Sequence, residues 1–107
     1  MTDDDRRHLK SLIEESMHQR VIITHGSDTL IETARFVGNI PNKTIVCTAA
    51  FLPEAFKDSD ADFNVGMAVG AVMSLENGTF IAMNGGLFRP EQCRKNEQNG
   101  KFEQIHE

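Results

Sequence analysis

The sequence predicts an α/β domain in which a parallel sheet lies between helices, in three layers. Three observations carry this. The runs Val21-Ile22-Ile23-Thr24 and Thr44-Ile45-Val46-Cys47-Thr48 are apolar on both faces, the pattern of strands covered on both sides. Segments with apolar residues at helical spacing alternate with them. The resulting order is helix, strand, helix, strand, helix, strand, which joins parallel strands by right-handed crossovers.

Each element has its own signature. Leu9, Leu12, Ile13 and Met17 predict a helix over residues 3–18 with one apolar stripe. Thr2 and Asp5 are spaced as a capping box, and Asp3, Asp4 and Asp5 suit the positive end of the helix dipole. The first strand runs from Arg20 to Thr24 and leads into a tight turn, His25-Gly26-Ser27-Asp28-Thr29, where Gly26 is expected to supply backbone freedom. Thr29 and Glu32 repeat the capping-box spacing, and Gly38 is the natural stop of the second helix. The second strand is Thr44–Thr48. A long loop is expected from Ala49 to about Asp62, with Asp60 capping the helix that follows. That third helix, residues 63–75, is apolar nearly all round, and Gly66 and Gly70 are expected to let it pack closely on the sheet. Asn77-Gly78 turns the chain, Thr79–Met83 is the third strand, and Asn84-Gly85-Gly86 ends it. Phe102 and Ile105 predict a short fourth strand that docks the C-terminus.

The bulk properties fit one small domain spanning residues 1–107. Of the 107 residues, 39% are hydrophobic and 25% charged, which argues against disorder. The net charge of −5 comes without a basic stripe, so nucleic acid and anionic membrane surfaces are poor partners. No apolar stretch is long enough to span a bilayer. The acidic, polar start does not resemble a secretory signal, which makes the cytoplasm the default compartment. Cys47 and Cys93 have no CxxC or Cys/His ligand spacing, so nothing predicts a zinc site, and Cys47 reads as a buried small hydrophobe.

In parallel α/β sheets the ligand crevice lies beyond the carboxyl ends of the strands. Those ends carry Thr24-His25-Gly26-Ser27-Asp28, Thr48-Ala49-Ala50 and Met83-Asn84-Gly85, so the polar turn residues fall where a site is expected.

The run Ile23-Thr24-His25-Gly26-Ser27-Asp28-Thr29-Leu30-Ile31-Glu32-Thr33-Ala34 resembles the second signature of the bacterial-type asparaginase/glutaminase family, H-G-T-D-T followed by a helix containing E-T-A. Thr48-Ala49-Ala50-Phe51-Leu52-Pro53 is similar to that family's T-G-A-M-R-P, and Ser59-Asp60-Ala61-Asp62-Phe63-Asn64 to its S-D-G-x-x-N. Lys95 falls where the family carries a catalytic lysine. The similarity covers about Val21 to Lys95 and is especially like the short, single-domain members. It implies a Rossmann- or flavodoxin-like domain and deamidation of asparagine or a similar small amide to the acid plus ammonia. It also implies no metal or organic cofactor.

The resemblance assigns Ser27, Asp28 and Lys95 to a catalytic hydroxyl–carboxylate–lysine cluster. Ser27, Asp28 and the Ala50 carbonyl would bind substrate. The departures are equally specific. The family opens with a strand and a T-G-G-T-I motif carrying its threonine nucleophile, then a mobile tyrosine. This sequence has neither T-G-G-T nor any tyrosine, and it begins at the helix that follows those parts. It therefore reads as a partial domain lacking the family's first strand, truncated at the N-terminus. An unpaired strand edge predicts self-association into a homo-oligomer or marginal stability. Ser27 replaces a threonine, Leu52 an arginine, and Ala49 and Ala61 each a glycine.

Each candidate has a plainer reading. A hydroxyl becomes a nucleophile or relay only when a base takes its proton, and a lysine serves as that base only where burial depresses its pKa. Otherwise Ser27 or Asp28 caps a helix and Lys95 is a solvated charge. Ala50 is otherwise an ordinary loop residue. His25 is too close to Ser27 along a tight turn to face it as a base, and reads as a packed or hydrogen-bonded turn residue. Asn84-Gly85-Gly86 lacks the lysine of a phosphate loop. Asp58, Asp60 and Asp62 lack the glycine and final glutamate of a calcium loop. Two functions stay open: an asparaginase-like amide hydrolase, incomplete as this chain, or a non-catalytic amino-acid-binding or interaction domain on the same scaffold.

Overall fold

The computed structural model describes residues 1–49 and 61–105. Four strands form one sheet in the order β1 (Arg20–Thr24), β2 (Thr44–Thr48), β3 (Gly78–Met83), β4 (Gly86–Phe88). The first three are parallel, with Thr24 beside Thr48 and Thr48 beside Ala82, while β4 runs antiparallel to β3. The sheet is therefore mixed. Helices α1 (Asp3–Glu15) and α2 (Leu30–Val37) cover one face and α3 (Ala61–Ser74) the other. A separate antiparallel pair, β5 (Cys93–Lys95) and β6 (Phe102–Gln104), follows a single turn of 3₁₀ helix at Pro90–Gln92. No helix among the described residues is long and apolar enough to cross a membrane.

The strands divide their side chains by the period of two that a pleated sheet imposes. Val21, Ile23, Ile45, Cys47, Ile81 and Met83 face α1 and α2, where Ile13, Leu30, Ala34 and Val37 complete one core. Ile22, Val46, Phe80 and Ala82 face α3, against Ala68, Ala71, Val72 and Leu75. β2 and β3 are buried along their whole length, as their sequences predict. β1 is not. Among the described residues it pairs with β2 alone, and Arg20 and Thr24 are exposed.

The capping box at Thr2 forms as expected: Asp5 N–H donates to Thr2 Oγ1 at 3.1 Å and Thr2 N–H to the Asp5 carboxylate at 2.9 Å. That backbone donor holds the Asp5 carboxyl below the usual carboxylate range. The helix expected over residues 3–18 is shorter. α1 stops at Glu15, where Ser16 takes extended backbone, and Met17 is 96% exposed. Leu12 is also exposed, and α1 instead buries Ile13 together with Arg6, a charge whose partners offset its desolvation. At α2 the expected Thr29–Glu32 box does not form, because Thr29 leaves the extended region needed for side-chain capping (φ −121°, ψ 16°). Gly38 does end α2, with φ 59° and its N–H on the Ala34 carbonyl.

Two glycine expectations are corrected. Gly66 and Gly70 face solvent, since the face of α3 on the sheet carries Asn64, Ala68, Ala71 and Val72. Gly26 does not use a positive φ, and a Cβ there would meet nothing within 4 Å. The expected end of the third strand at Asn84-Gly85-Gly86 is a hairpin. Met83 pairs with Gly86, and Asn84 and Gly85 both have positive φ (53° and 75°), as a two-residue turn of the right twist requires. The expected C-terminal strand forms, but it pairs with β5 rather than joining the main sheet. The expected loop at Ala49–Asp62 and the Asp60 cap fall mainly on residues 50–60, outside the described residues.

Burial predicts how stability varies with pH. Cys47 and Cys93 are fully buried, and loss of hydration pushes their thiols from 9.0 up to about 12 and about 11. Below about pH 8 both folded and unfolded states keep the protons, and the thiols add no pH dependence. Above pH 9 the unfolded chain ionises first, so the folded state loses stability as pH rises toward 11–12. The urea midpoint is expected to be flat across about pH 7–8 and to fall steadily above about pH 9. A Cys47→Ala, Cys93→Ala double variant with an equally steep fall would remove the thiols as its cause.

Candidate active site

The turn after β1 and the hairpin β5–β6 come from distant parts of the chain, and the fold brings them together. Lys95 Nζ lies 3.2 Å from Ser27 Oγ and 3.0 Å from Asp28 Oδ1. Asp28 and Ser27 sit just beyond the carboxyl end of β1, where a parallel sheet opens its crevice. The Lys95 side chain is 25% exposed and that of Asp28 is 95% exposed. The lysine stem is therefore largely covered, while the carboxylate faces solvent. An ion pair of this kind is screened and contributes about 0–1 kcal/mol to folding.

An open cleft of about 490 Å³ lies against this turn, lined by Met1 and residues Thr24 to Thr29. A second cleft of about 480 Å³ opens at the amino ends of the strands, lined by Gln19, Arg20, Thr44 and residues 74–77. It is the more enclosed of the two, but it lies at the end of the sheet away from Ser27, Asp28 and Lys95. The cleft at Thr24–Thr29 is the one with the chemistry beside it. Ala50 lies outside the described residues. Its neighbour Ala49 is buried, and the buried Asn64 of α3 donates to the Ala49 carbonyl at 2.7 Å. That bond fixes the chain at the carboxyl end of β2. His25 is a hydrogen-bonded turn residue as expected, with Nδ1 2.7 Å from the Gly26 carbonyl oxygen and Nε2 2.9 Å from Thr33 Oγ1. Among the described residues, no group of three or more His, Cys, Asp or Glu side chains is placed to hold a metal ion.

Two residues that sequence reasoning missed hold the lysine in place. Arg35 of α2 reaches across to donate to the Pro90 carbonyl at 2.8 Å and the Cys93 carbonyl at 2.9 Å, at the two ends of the 3₁₀ turn leading into β5. Asn84, at the β3–β4 turn, accepts the Phe102 N–H at 2.7 Å and ties down β6. Buried Cys93 and Phe102 complete the docking. The only signal for Arg35 in the sequence is its position at the end of α2, where it suits the helix dipole without naming a partner. Arg35→Ala removes two charge-assisted bonds, each worth roughly 1.5–3 kcal/mol. Amide exchange in β5 and β6 is expected to quicken at least about tenfold, with β2 and β3 unchanged. Equal protection of β5 and β6 in the variant would show that the apolar contacts alone seat the hairpin.

The fold and the cluster together define a class: an α/β domain that gathers a hydroxyl, an ammonium and a carboxylate beyond the carboxyl ends of parallel strands. Comparison with known proteins narrows it. The family profile described as Asparaginase, N-terminal matches residues 1–105, and the chain belongs to the asparaginase family. It is 30% identical over 94 residues to a glutaminase-asparaginase of Acinetobacter glutaminasificans, a match covering 83% of this chain and 28% of that protein. The thermostable L-asparaginase from Thermococcus kodakarensis shares its fold, with a TM-score of 0.85 and 23% identity over 100% of this chain and 35% of that one. The chain thus spans about a third or less of the length of these relatives.

Proposed function

We propose that this chain supplies the activating and substrate-binding half of an amide hydrolase that cleaves the side-chain amide of a small amino acid, asparagine or glutamine. The observation that supports it most is the contact of Lys95 Nζ with both Ser27 Oγ and Asp28 Oδ1, bridging 68 and 67 positions of sequence. Lys95, as the neutral amine left once its ammonium proton is lost, acts as the base that takes a hydroxyl proton. Ser27 is the hydroxyl beside it, as relay or nucleophile. Asp28 orients the lysine and offers its open carboxylate to a substrate ammonium group. Ala50 offers its carbonyl to the substrate amide.

The chemistry is nucleophilic acyl transfer. A hydroxyl oxygen bonds to the amide carbon while its proton passes to Lys95. The proton is then delivered to the departing nitrogen, which leaves as ammonia, and water hydrolyses the resulting ester. No T-G-G-T occurs in these 107 residues, so the attacking hydroxyl is either Ser27 or a threonine on a separate segment. Protein side chains alone carry these steps. We place the chain in the cytoplasm as a homo-oligomer. The one-sided pairing of β1 among the described residues and the exposure of Leu12 and Met17 support self-association.

The second reading, an amino-acid-binding domain without turnover, is favoured by the exposure of the Asp28 carboxylate beside an open cleft. One experiment separates the two. Ammonia release from asparagine and glutamine is measured for the chain alone and with an added peptide bearing a strand and T-G-G-T. Turnover in either case, lost in Ser27→Ala, supports the hydrolase. Saturable amino-acid binding with no turnover under both conditions supports the binding domain.

A further inference from the structure

Behind the Ser27–Asp28 turn lies a polar chain, buried at Arg6 and Thr33 and exposed at its Gly26 end, that amide hydrolysis does not itself use. Arg6 of α1 is 7% exposed and Thr33 of α2 is fully buried. Arg6 Nε donates to Thr33 Oγ1 at 3.0 Å, Thr33 Oγ1 lies 2.9 Å from His25 Nε2, and His25 Nδ1 lies 2.7 Å from the Gly26 carbonyl oxygen. The guanidinium is held from behind by Asp3 at 2.9 Å and Glu32 at 3.5 Å.

The donor and acceptor inventory gives this chain a direction. A carbonyl oxygen only accepts, so His25 Nδ1 must carry the proton. A guanidinium nitrogen only donates, so Thr33 accepts from Arg6 and its own proton is left to give. Of the acceptors within reach, His25 Nε2 is closer and stronger than the Met1 thioether at 3.6 Å. The hydroxyl therefore donates to the ring, and hydrogen bonds run Arg6 → Thr33 → His25 → Gly26 carbonyl, each polarising the next. The Gly26 carbonyl belongs to the peptide plane that joins Gly26 to Ser27. Holding it fixes how Ser27 leaves the turn toward Lys95.

We propose that Arg6 and Thr33 are positioning residues: they lock His25 as the Nδ1–H tautomer, and the locked ring sets the peptide plane that aims Ser27 at Lys95. The tautomer stands on the geometry alone. Its catalytic consequence rests on the amide-hydrolase reading above.

Long-range ¹H–¹⁵N correlation on the ¹⁵N-labelled full chain at about pH 8, above the ordinary histidine pKa, tests it, with the His25 signals assigned by their loss in His25→Gln. The parent is expected to show a pyrrole-type shift at Nδ1 and a pyridine-type shift at Nε2. In Thr33→Val, which keeps the shape and removes the hydroxyl, the ring is expected to drift to the Nε2–H form that free imidazole side chains favour. Thr33→Ser is expected to restore the parent pattern. A parent ring with pyridine-type Nδ1, a doubly protonated parent ring, or a Thr33→Val spectrum identical to the parent would each overturn the proposal. The parent spectrum decides even where Thr33→Val fails to fold. In any preparation that hydrolyses amides, Thr33→Val is further expected to lower kcat roughly ten- to a hundredfold with KM within about twofold, and Thr33→Ser to recover it. Absence of turnover in every preparation would remove the hydrolase reading and leave the tautomer measurement intact.

Discussion

Lys95→Met is expected to lower amide hydrolysis about 10²–10⁴-fold, the range that a positioned general base contributes. Methionine keeps the apolar stem that is three-quarters covered and removes the amine. The ion pair lost with it is expected to cost folding no more than about 1 kcal/mol, because its carboxylate is 95% exposed to water. The two readouts, ammonia release and the thermal melt, therefore separate chemistry from stability. Ser27→Ala belongs beside it. Residues that act as one unit lose activity together rather than additively, so the double variant is expected to be no worse than the more severe single one. Hydrolysis within about tenfold of the parent in Lys95→Met would take the base role away from this lysine.

Leu30→Ala is expected to destabilise the fold by about 2–5 kcal/mol, the usual result of emptying a leucine site. Leu30 is fully buried and opens α2 directly after the Ser27–Asp28 turn. Its side chain belongs to the core shared by α1, α2 and the sheet. In a domain of about 100 residues each kcal/mol moves the melting midpoint by roughly 4–8 °C. A loss of about 3 kcal/mol thus corresponds to a midpoint lower by roughly 12–24 °C, a large share of the stability a small domain has. The neighbouring Ile31 is not free to fill the vacated space, because it already packs against the same core. A midpoint within about 5 °C of the parent would mean that the cavity collapses around the smaller side chain.

The fold is legible in the sequence wherever periodicity and burial agree. β2 and β3 read as doubly covered strands and are buried throughout, because both faces meet helices. β1 has the same kind of sequence but pairs on one side only among the described residues, and a run of β-branched residues does not record whether its second neighbour is present. Leu12 and Met17 illustrate the same limit. Their spacing marks an apolar stripe, but Leu12 is 52% exposed and Met17 96%. The β3–β4 hairpin has a sequence signal that the expected strand end does not use: Asn84-Gly85 is the residue pair that a two-residue turn prefers, and a second strand follows it. Gly66 and Gly70 mislead because small residues fit a close approach and an exposed face equally well.

The candidate site is legible at Ser27, Asp28 and Lys95 through the resemblance, and the geometry brings those three side chains together. Spacing in the sequence carries no such information across 67 positions. Arg35 and Asn84 are not legible, since each binds backbone atoms whose positions exist only after folding. The buried charge of Arg6 is hidden for the same reason: an arginine near the start of a polar helix looks solvated until Thr33 is placed against it.

Among the described residues β1 has one unpaired edge, and that makes strand polarity a sorting device. All three parallel strands point their carboxyl ends toward the end of the sheet where the cleft beside Ser27 opens. A segment that seats along β1 in the same direction delivers the residues after its last paired position into that cleft. One that seats in the opposite direction delivers the residues before its first. The same backbone hydrogen-bonding edge would thus present either end of an incoming segment, and chain direction alone would decide which end enters the cleft beside Ser27.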